Sequence, residues 1–80
     1  MLQPQVTDVV PLSDYRILLS FETGEKKILD VTPYIRGDWF GKLKDTAYFR
    51  SVHVVGRTVE WAGGQDIAPH DLYGESMPVQ

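Results

Sequence analysis

The chain has 80 residues, of which 42% are hydrophobic and 24% are charged, and its formal net charge is −3. This length is that of one domain, and the composition lies in the globular range and outside the disordered one. The sequence contains no cysteine, which excludes a disulfide framework and thiolate metal sites and agrees with a reducing compartment. We therefore expect a single soluble domain over residues 1–80, with an ordered core at about 6–73 and a loose tail at 74–80.

The start of the sequence shows neither a basic segment nor a continuous apolar one, so it predicts no secretory signal and no membrane span. We expect a cytoplasmic protein without membrane contact. The charge is distributed unevenly along the chain. Residues 36–57 carry five basic and two acidic side chains, whereas residues 58–80 carry four acidic side chains and neither Lys nor Arg. The basic middle is either a docking surface or the counterpart of the acidic end within the same molecule.

The first half of the sequence predicts a β-meander. Residues 6–12 form a first strand, and in residues 15–21 every second residue, beginning with Tyr15, is apolar, as in a strand with one buried face. Residues 22–25 predict a turn with Gly24 in the left-handed region, because glycine adopts positive φ without strain. Residues 26–31 are the returning strand.

The middle of the sequence predicts short helical turns instead of a long helix. Pro33 opens one turn at residues 33–36, since its fixed φ suits the first helical position. Asp45 or Thr46 caps a second turn at residues 46–49.

The last third of the sequence returns to strands. Residues 52–55 and 58–61 predict a hairpin around Gly56 and Arg57. The second strand of this hairpin ends before Gly63 and Gly64, and Pro69 starts a final helical turn.

These elements predict an α+β fold, a small antiparallel sheet of about five strands with two or three short helical turns on one face. Tyr73 should lie against the sheet with its hydroxyl near water. The expected core consists of Ile17, Leu19, Phe21, Leu29, Ile35, Phe40, Leu43, Phe49, Val54, Val59, Trp61 and Leu72.

Three polar residues near the end of the chain suggest two interpretations. Asp66, His70 and Asp71 carry carboxylate and imidazole groups, which bind zinc and similar ions. Asp66 and His70 would converge only on a continuous helix, and Pro69 disfavours that continuity. We therefore expect no catalytic, cofactor or metal site, and favour a structural clasp. The clasp residues are Trp61, Gly64, Asp66, Pro69, Leu72 and Tyr73.

A candidate interaction surface lies in the basic middle of the chain. Trp39 stands on a loop between glycines and beside basic side chains, a composition typical of protein–protein hot spots. The candidate surface consists of Arg36, Trp39, Lys42 and Lys44. Direct binding of nucleic acid is disfavoured, because the chain is acidic and has no nucleic-acid-binding motif.

Two motifs and the residues between them carry a family resemblance. F-x-x-G-E occupies residues 21–25, Asp30 closes the next strand, and W-x-x-G-x-D-I-x-P-x-x-L-Y occupies residues 61–73. In this order the sequence resembles the small bacterial domain-of-unknown-function family twenty-four forty-two, over roughly residues 6–73. The resemblance implies an α+β domain without an assigned activity. Some members are joined to a helix-turn-helix domain, and some are encoded beside a second small protein, as toxin–antitoxin pairs are.

We therefore predict a non-enzymatic protein–protein interaction or regulatory module, either antitoxin-like or the partner of a DNA-binding protein. Its partner is an unidentified protein, and a homodimer is a further expectation. The alternative is a metal- or ligand-binding domain, or an enzyme, that uses Asp66, His70 and Asp71.

Overall fold

The computed structural model describes residues 4–37 and 41–79, and six strands in these residues form two antiparallel sheets. The larger sheet has the order β1 (Val6–Pro11), β2 (Arg16–Phe21), β3 (Lys26–Asp30) and β6 (Met77–Pro78). The smaller sheet is the hairpin of β4 (His53–Val55) and β5 (Thr58–Glu60). The α+β class and the meander-plus-hairpin order are confirmed, although the strands divide between two sheets.

The helices in the described residues are short. The first, α1 (Thr46–Phe49), begins after Asp45, whose Oδ1 accepts a hydrogen bond from the Ala47 backbone N–H at 2.9 Å. The second, α2, spans Pro69–Gly74. In the described residues, three 3₁₀ turns span Ser13–Tyr15, Thr32–Tyr34 and Lys42–Lys44. Of the two predicted caps, Asp45 and Thr46, the structure has Asp45, and the predicted start at Pro69 is confirmed. None of these described helices has the length and apolar character that crossing a membrane requires.

The four-stranded sheet buries one face, as the alternation in β2 predicts. Ile17, Leu19 and Phe21 are at most 4% exposed, whereas the intervening side chains project from the opposite face. The turn between β2 and β3 has Gly24 at φ +91°, as predicted. The sequence therefore predicts the buried face of β2 correctly, because the burial period of a strand is two residues.

The core lies on this buried face, against the hairpin and the short helices. Its buried apolar residues are Val6, Ile17, Leu19, Phe21, Leu29, Val31, Leu43, Phe49, Val52, Val59, Trp61, Ile67 and Leu72. Of the predicted core, Ile35 and Val54 are only half-buried, Phe40 lies outside the described residues, and the rest is confirmed. Trp61 is fully buried, and its Nε1 donates to the Phe49 carbonyl at 2.9 Å, so its one polar atom is satisfied.

The end of the chain differs from the loose tail that we expected. Ser76 is buried, and its hydroxyl donates to the Tyr73 carbonyl at 2.9 Å. Met77 pairs with Ile28, and the Val79 N–H donates to the Lys26 carbonyl at 3.0 Å. The segment adds an edge strand because β3 would otherwise present an unpaired row of backbone groups.

Candidate functional site

The predicted clasp begins with a tight turn. The Trp61 N–H donates to the Gln65 carbonyl at 2.9 Å, and the Gly64 N–H donates back to the Trp61 carbonyl at 2.8 Å. Gly64 has φ +93°, a conformation that favours glycine. Pro69 then starts α2, which carries the fully buried Leu72 into the core. These positions agree with a structural role for the segment.

A buried amide, which the sequence analysis missed, lies inside this turn. Gln65 is 0% exposed, and its Oε1 accepts a hydrogen bond from the Tyr48 hydroxyl at 2.8 Å. A Cβ added at Gly63 would clash with that same hydroxyl. The Thr58 hydroxyl donates to the Ile67 carbonyl and ties the end of the segment to the hairpin. Of these two neighbours Gln65 is the buried one, whereas Asp66, which we assigned to the clasp, is exposed.

Asp66, His70 and Asp71 are not brought together as a set of ligands. His70 Nε2 lies 3.1 Å from Asp71 Oδ1, on side chains that are 69% and 42% exposed. The backbone of Asp66 instead pairs with the backbone of Glu60 in an isolated antiparallel β-bridge. Within residues 4–37 and 41–79, no group of three or more His, Asp or Glu side chains is arranged to hold a metal ion.

Tyr73 joins α2 to the β2–β3 turn through its hydroxyl. The hydroxyl lies 2.9 and 2.8 Å from the two carboxylate oxygens of Glu25, and the ring meets Phe21 edge to face at 5.1 Å. The hydrogen bond from Tyr73 lowers the pKa of the Glu25 carboxyl, with a smaller contribution from the Thr23 hydroxyl. The same bond raises the pKa of the Tyr73 hydroxyl. The hydrogen bond therefore favours an ionised Glu25 carboxylate and a protonated Tyr73 hydroxyl.

Lys27 lies beneath the same tyrosine on the buried side of β3. Its side chain is only 8% exposed, and its Nζ donates to the Tyr73 carbonyl at 2.6 Å. The ammonium also lies 3.8 Å from the centre of the Tyr73 ring. A carbonyl at a helix C-terminus and the face of an aromatic ring both attract a cation, which makes this burial tolerable.

The basic surface predicted around residue 39 is only partly described. Arg36, Lys42 and Lys44 are exposed, and Trp39 lies outside the described residues. The Arg36 Nε donates to the Pro33 carbonyl at 2.9 Å, which fixes part of that side chain against its own turn. This surface therefore remains a prediction.

The larger sheet has a second face, which we call the outer face. In this face Val10 pairs with Leu18, Leu18 with Ile28, and Ile28 with Met77. These four side chains form an apolar row across the whole sheet. Val10 is 42% exposed and Met77 is 69% exposed, while the two central members are half-buried.

Charged side chains border the apolar row at both ends of the strands. Arg16 and Asp30 are opposite each other on one side, and Ser20 and Lys26 are opposite each other on the other side. Arg16, Asp30 and Lys26 are exposed. The outer face thus combines an apolar centre with a charged border, the composition of a protein-binding surface.

A groove of about 560 Å³ opens at the Arg16–Asp30 end of the outer face. It is lined by the acidic residues Asp30 and Glu75, by Arg16, by Tyr34 and by apolar residues that include Met77. Burial raises the pKa of the Tyr34 hydroxyl, and the negative charges of Asp71 and Glu75 raise it further. The groove is therefore more acidic than basic and favours a cationic side chain.

A comparison with protein-family models matches residues 6–78 to a family described as "Protein of unknown function (DUF2442)". The chain belongs to this family. The DUF2442 match covers nearly the whole sequence and extends beyond residue 73 to include β6. Searches of curated proteins and of solved structures found no match. Membership in DUF2442 therefore assigns no role to any residue.

Sequence reasoning missed the outer face of this DUF2442 domain. The signal was present in the strands, because Leu18 and Ile28 occupy positions that the alternation assigns to solvent. Their pairing depends on the register of β2 and β3, and the row is completed only when Met77 joins the edge. Two apolar side chains on separate strands do not reveal this arrangement in the sequence.

Proposed function

We propose that this chain is a non-enzymatic protein-interaction module that contacts another protein through the outer face of its four-stranded sheet. The observation that carries the proposal is the row of Val10, Leu18, Ile28 and Met77, in register across all four strands. A contiguous apolar patch with a polar rim on a small domain is typical of an interaction site.

The energetics of a small domain support this role. A chain of this length buries only about 60–65% of the surface that its unfolded form exposes, so its own core provides limited stability. Covering the outer face with a partner would remove Val10 and Met77 from water, and each would add favourable apolar burial. Binding would thus stabilise the module as well as its complex.

The role that we propose for such a module is regulatory, either as one member of an antitoxin-like pair or as the partner of a DNA-binding protein. A cytoplasmic location fits this role, and the absence of cysteine agrees with it. The basic side chains Arg36, Lys42 and Lys44 offer a second surface, which the variant Lys42→Glu distinguishes from the outer face.

The test is affinity capture of the tagged full chain from its host, with and without nuclease, followed by binding measurements with the purified captured protein. Three variants accompany the wild type. Met77→Lys places a charge on the outer face, Val55→Lys makes a similar change on the separate hairpin, and Lys42→Glu alters the basic surface.

We expect a nuclease-resistant partner whose affinity falls about tenfold or more with Met77→Lys and stays unchanged with Val55→Lys. A loss confined to Lys42→Glu would move the function to the basic surface. If nuclease treatment removes the captured proteins, nucleic-acid binding is favoured. Capture of no protein at all would overturn the proposed function.

A further inference from the structure

We propose that the protein that covers the outer face is a second copy of this chain, related to the first by a twofold axis that runs along the strands between β2 and β3. This inference rests on the proposed function, because a chain that binds no protein with its outer face cannot dimerise through it. A twofold interface places one patch against itself, so the patch must be self-complementary in shape and in charge.

The apolar row satisfies the first requirement. The row has four members, two on each side of the proposed axis: Val10 and Leu18 on β1 and β2, and Ile28 and Met77 on β3 and β6. The twofold rotation exchanges these two sides. It places Leu18 of one copy over Ile28 of the other, and Val10 over Met77. Two sheets packed face to face lie about 10 Å apart with strands within about 30° of each other, a geometry that lets such rows interdigitate.

The charged border satisfies the second requirement. Arg16 lies on β2 and Asp30 lies opposite it on β3, at the same level along the strands. The rotation that superposes the apolar rows places Arg16 of each copy over Asp30 of the other, so the pair forms twice. Within residues 4–37 and 41–79, neither Arg16 nor Asp30 belongs to an ion pair of its own subunit.

The groove strengthens this arrangement. Its lining includes Asp30, Glu75 and Arg16, so two acidic residues and one basic residue of the same chain border it. In the dimer, the Arg16 side chain of the second copy would enter this groove. Guanidinium and carboxylate groups form two parallel hydrogen bonds, which fix orientation as well as adding affinity.

The size of the face sets the expected affinity. Four strands span about 19 Å, and strands of six residues extend about 20 Å. A dimer of this size lies near or below about 1,200 Å² of total buried surface, the range of weak and transient complexes. We therefore expect dissociation constants of about 1–100 µM and a reversible monomer–dimer equilibrium.

Analytical ultracentrifugation of the full chain over about 1–500 µM tests the equilibrium directly in that affinity range. Val10→Lys and Val55→Lys form a matched pair, because both valines lie in strands and are 42% exposed. Val10→Lys should weaken the dimer about tenfold or more, and Val55→Lys should leave it unchanged. Equal weakening by the two variants, or a wild type that stays monomeric throughout, would overturn the inference.

Charge-reversal variants of Arg16 and Asp30 test the position of the proposed twofold axis. Arg16→Glu and Asp30→Arg should each be monomeric, because the first opposes two carboxylates and the second opposes two guanidinium groups. Mixing the two variants should restore a heterodimer, in which the introduced glutamate would face the introduced arginine and the native Arg16 would face the native Asp30. Only contact between subunits can restore the dimer, because residues 16 and 30 still carry charges of the same sign within each variant chain. A mixture that stays monomeric would overturn the proposed axis and its Arg16–Asp30 pairing.

The outcomes separate this inference from the proposed function. A monomeric chain whose capture of a different host protein depends on Met77 would overturn the dimer and leave the interaction module in place. A monomeric chain with no capture that depends on Met77 would overturn both.

Discussion

The Tyr48 hydroxyl donates a 2.8 Å hydrogen bond to Oε1 of Gln65, an amide side chain with no exposed surface. Tyr48 belongs to α1 and Gln65 to the turn that follows β5, so the bond joins a helix to the clasp. The segment that contains the family motif is thus organised around a residue that the motif leaves unspecified.

Loss of the Tyr48–Gln65 hydrogen bond should destabilise the domain. Tyr48→Phe removes the donor and should lower the free energy of unfolding by about 0.5–1.5 kcal/mol. Gln65→Ala also leaves a cavity and should cost more, about 2 kcal/mol or above. Urea denaturation measures both values. The double variant should lose less than the sum of the single losses, since the two residues share one interaction, and strict additivity would contradict the coupling.

Gly63→Ala should be costly for a steric reason. Its Cβ would displace the Tyr48 hydroxyl from Gln65, and we expect a loss of about 1–3 kcal/mol in the free energy of unfolding. Gly74→Ala is the matched control, because a Cβ there has no heavy atom within 4 Å and its φ is not positive. The control should be neutral or should stabilise α2 by about 0.5–1 kcal/mol. Thermal melts that rank the two variants in the opposite order would refute this explanation.

The clasp should depend on its buried apolar residues and not on its histidine. Leu72→Ala removes a fully buried side chain and should cost about 2–5 kcal/mol. His70→Ala changes a side chain that is 69% exposed and should stay within about 0.5 kcal/mol of the wild type. Chemical denaturation distinguishes the two. A large loss for His70→Ala would indicate that the histidine has a structural or ligand-binding role that its exposure does not show.

The Tyr73–Glu25 contact should make stability depend on pH in two ranges. The pKa of Glu25 is lowered from 4.5, so its contribution is present above that value and is lost as pH falls through the folded-state pKa. The pKa of Tyr73 is raised from 10.0, so its contribution is present below that value and is lost as pH rises through the folded-state pKa. Tyr73→Phe should therefore lower Tm most near neutral pH.

Melting curves of Tyr73→Phe and the wild type between pH 3 and pH 11 measure this difference, which should shrink below about 4.5 and above about 10. Tyr48→Phe is the control on the acid side, because the Gln65 amide does not titrate. A Tyr73→Phe deficit that stays constant across the acid range would show that the Glu25 carboxylate does not contribute.

The sequence by itself determined the local features of this protein. The alternation in residues 15–21 predicted which side chains of β2 are buried, because strand period and burial are both local properties. Gly24 in the left-handed region, Asp45 at the helix cap and Pro69 at the start of α2 were also predictable. Each depends on the conformational or hydrogen-bonding preference of one residue and its immediate neighbours.

Only the tertiary structure decided the features that depend on distant partners. The last residues became an edge strand because β3 offered them backbone partners, and Lys27 became buried because the Tyr73 carbonyl and ring lay above it. The outer apolar row exists because Leu18, Ile28 and Met77 come into register across three strands. Register and burial of this kind arise from contacts between segments far apart in the chain, and no local pattern encodes them.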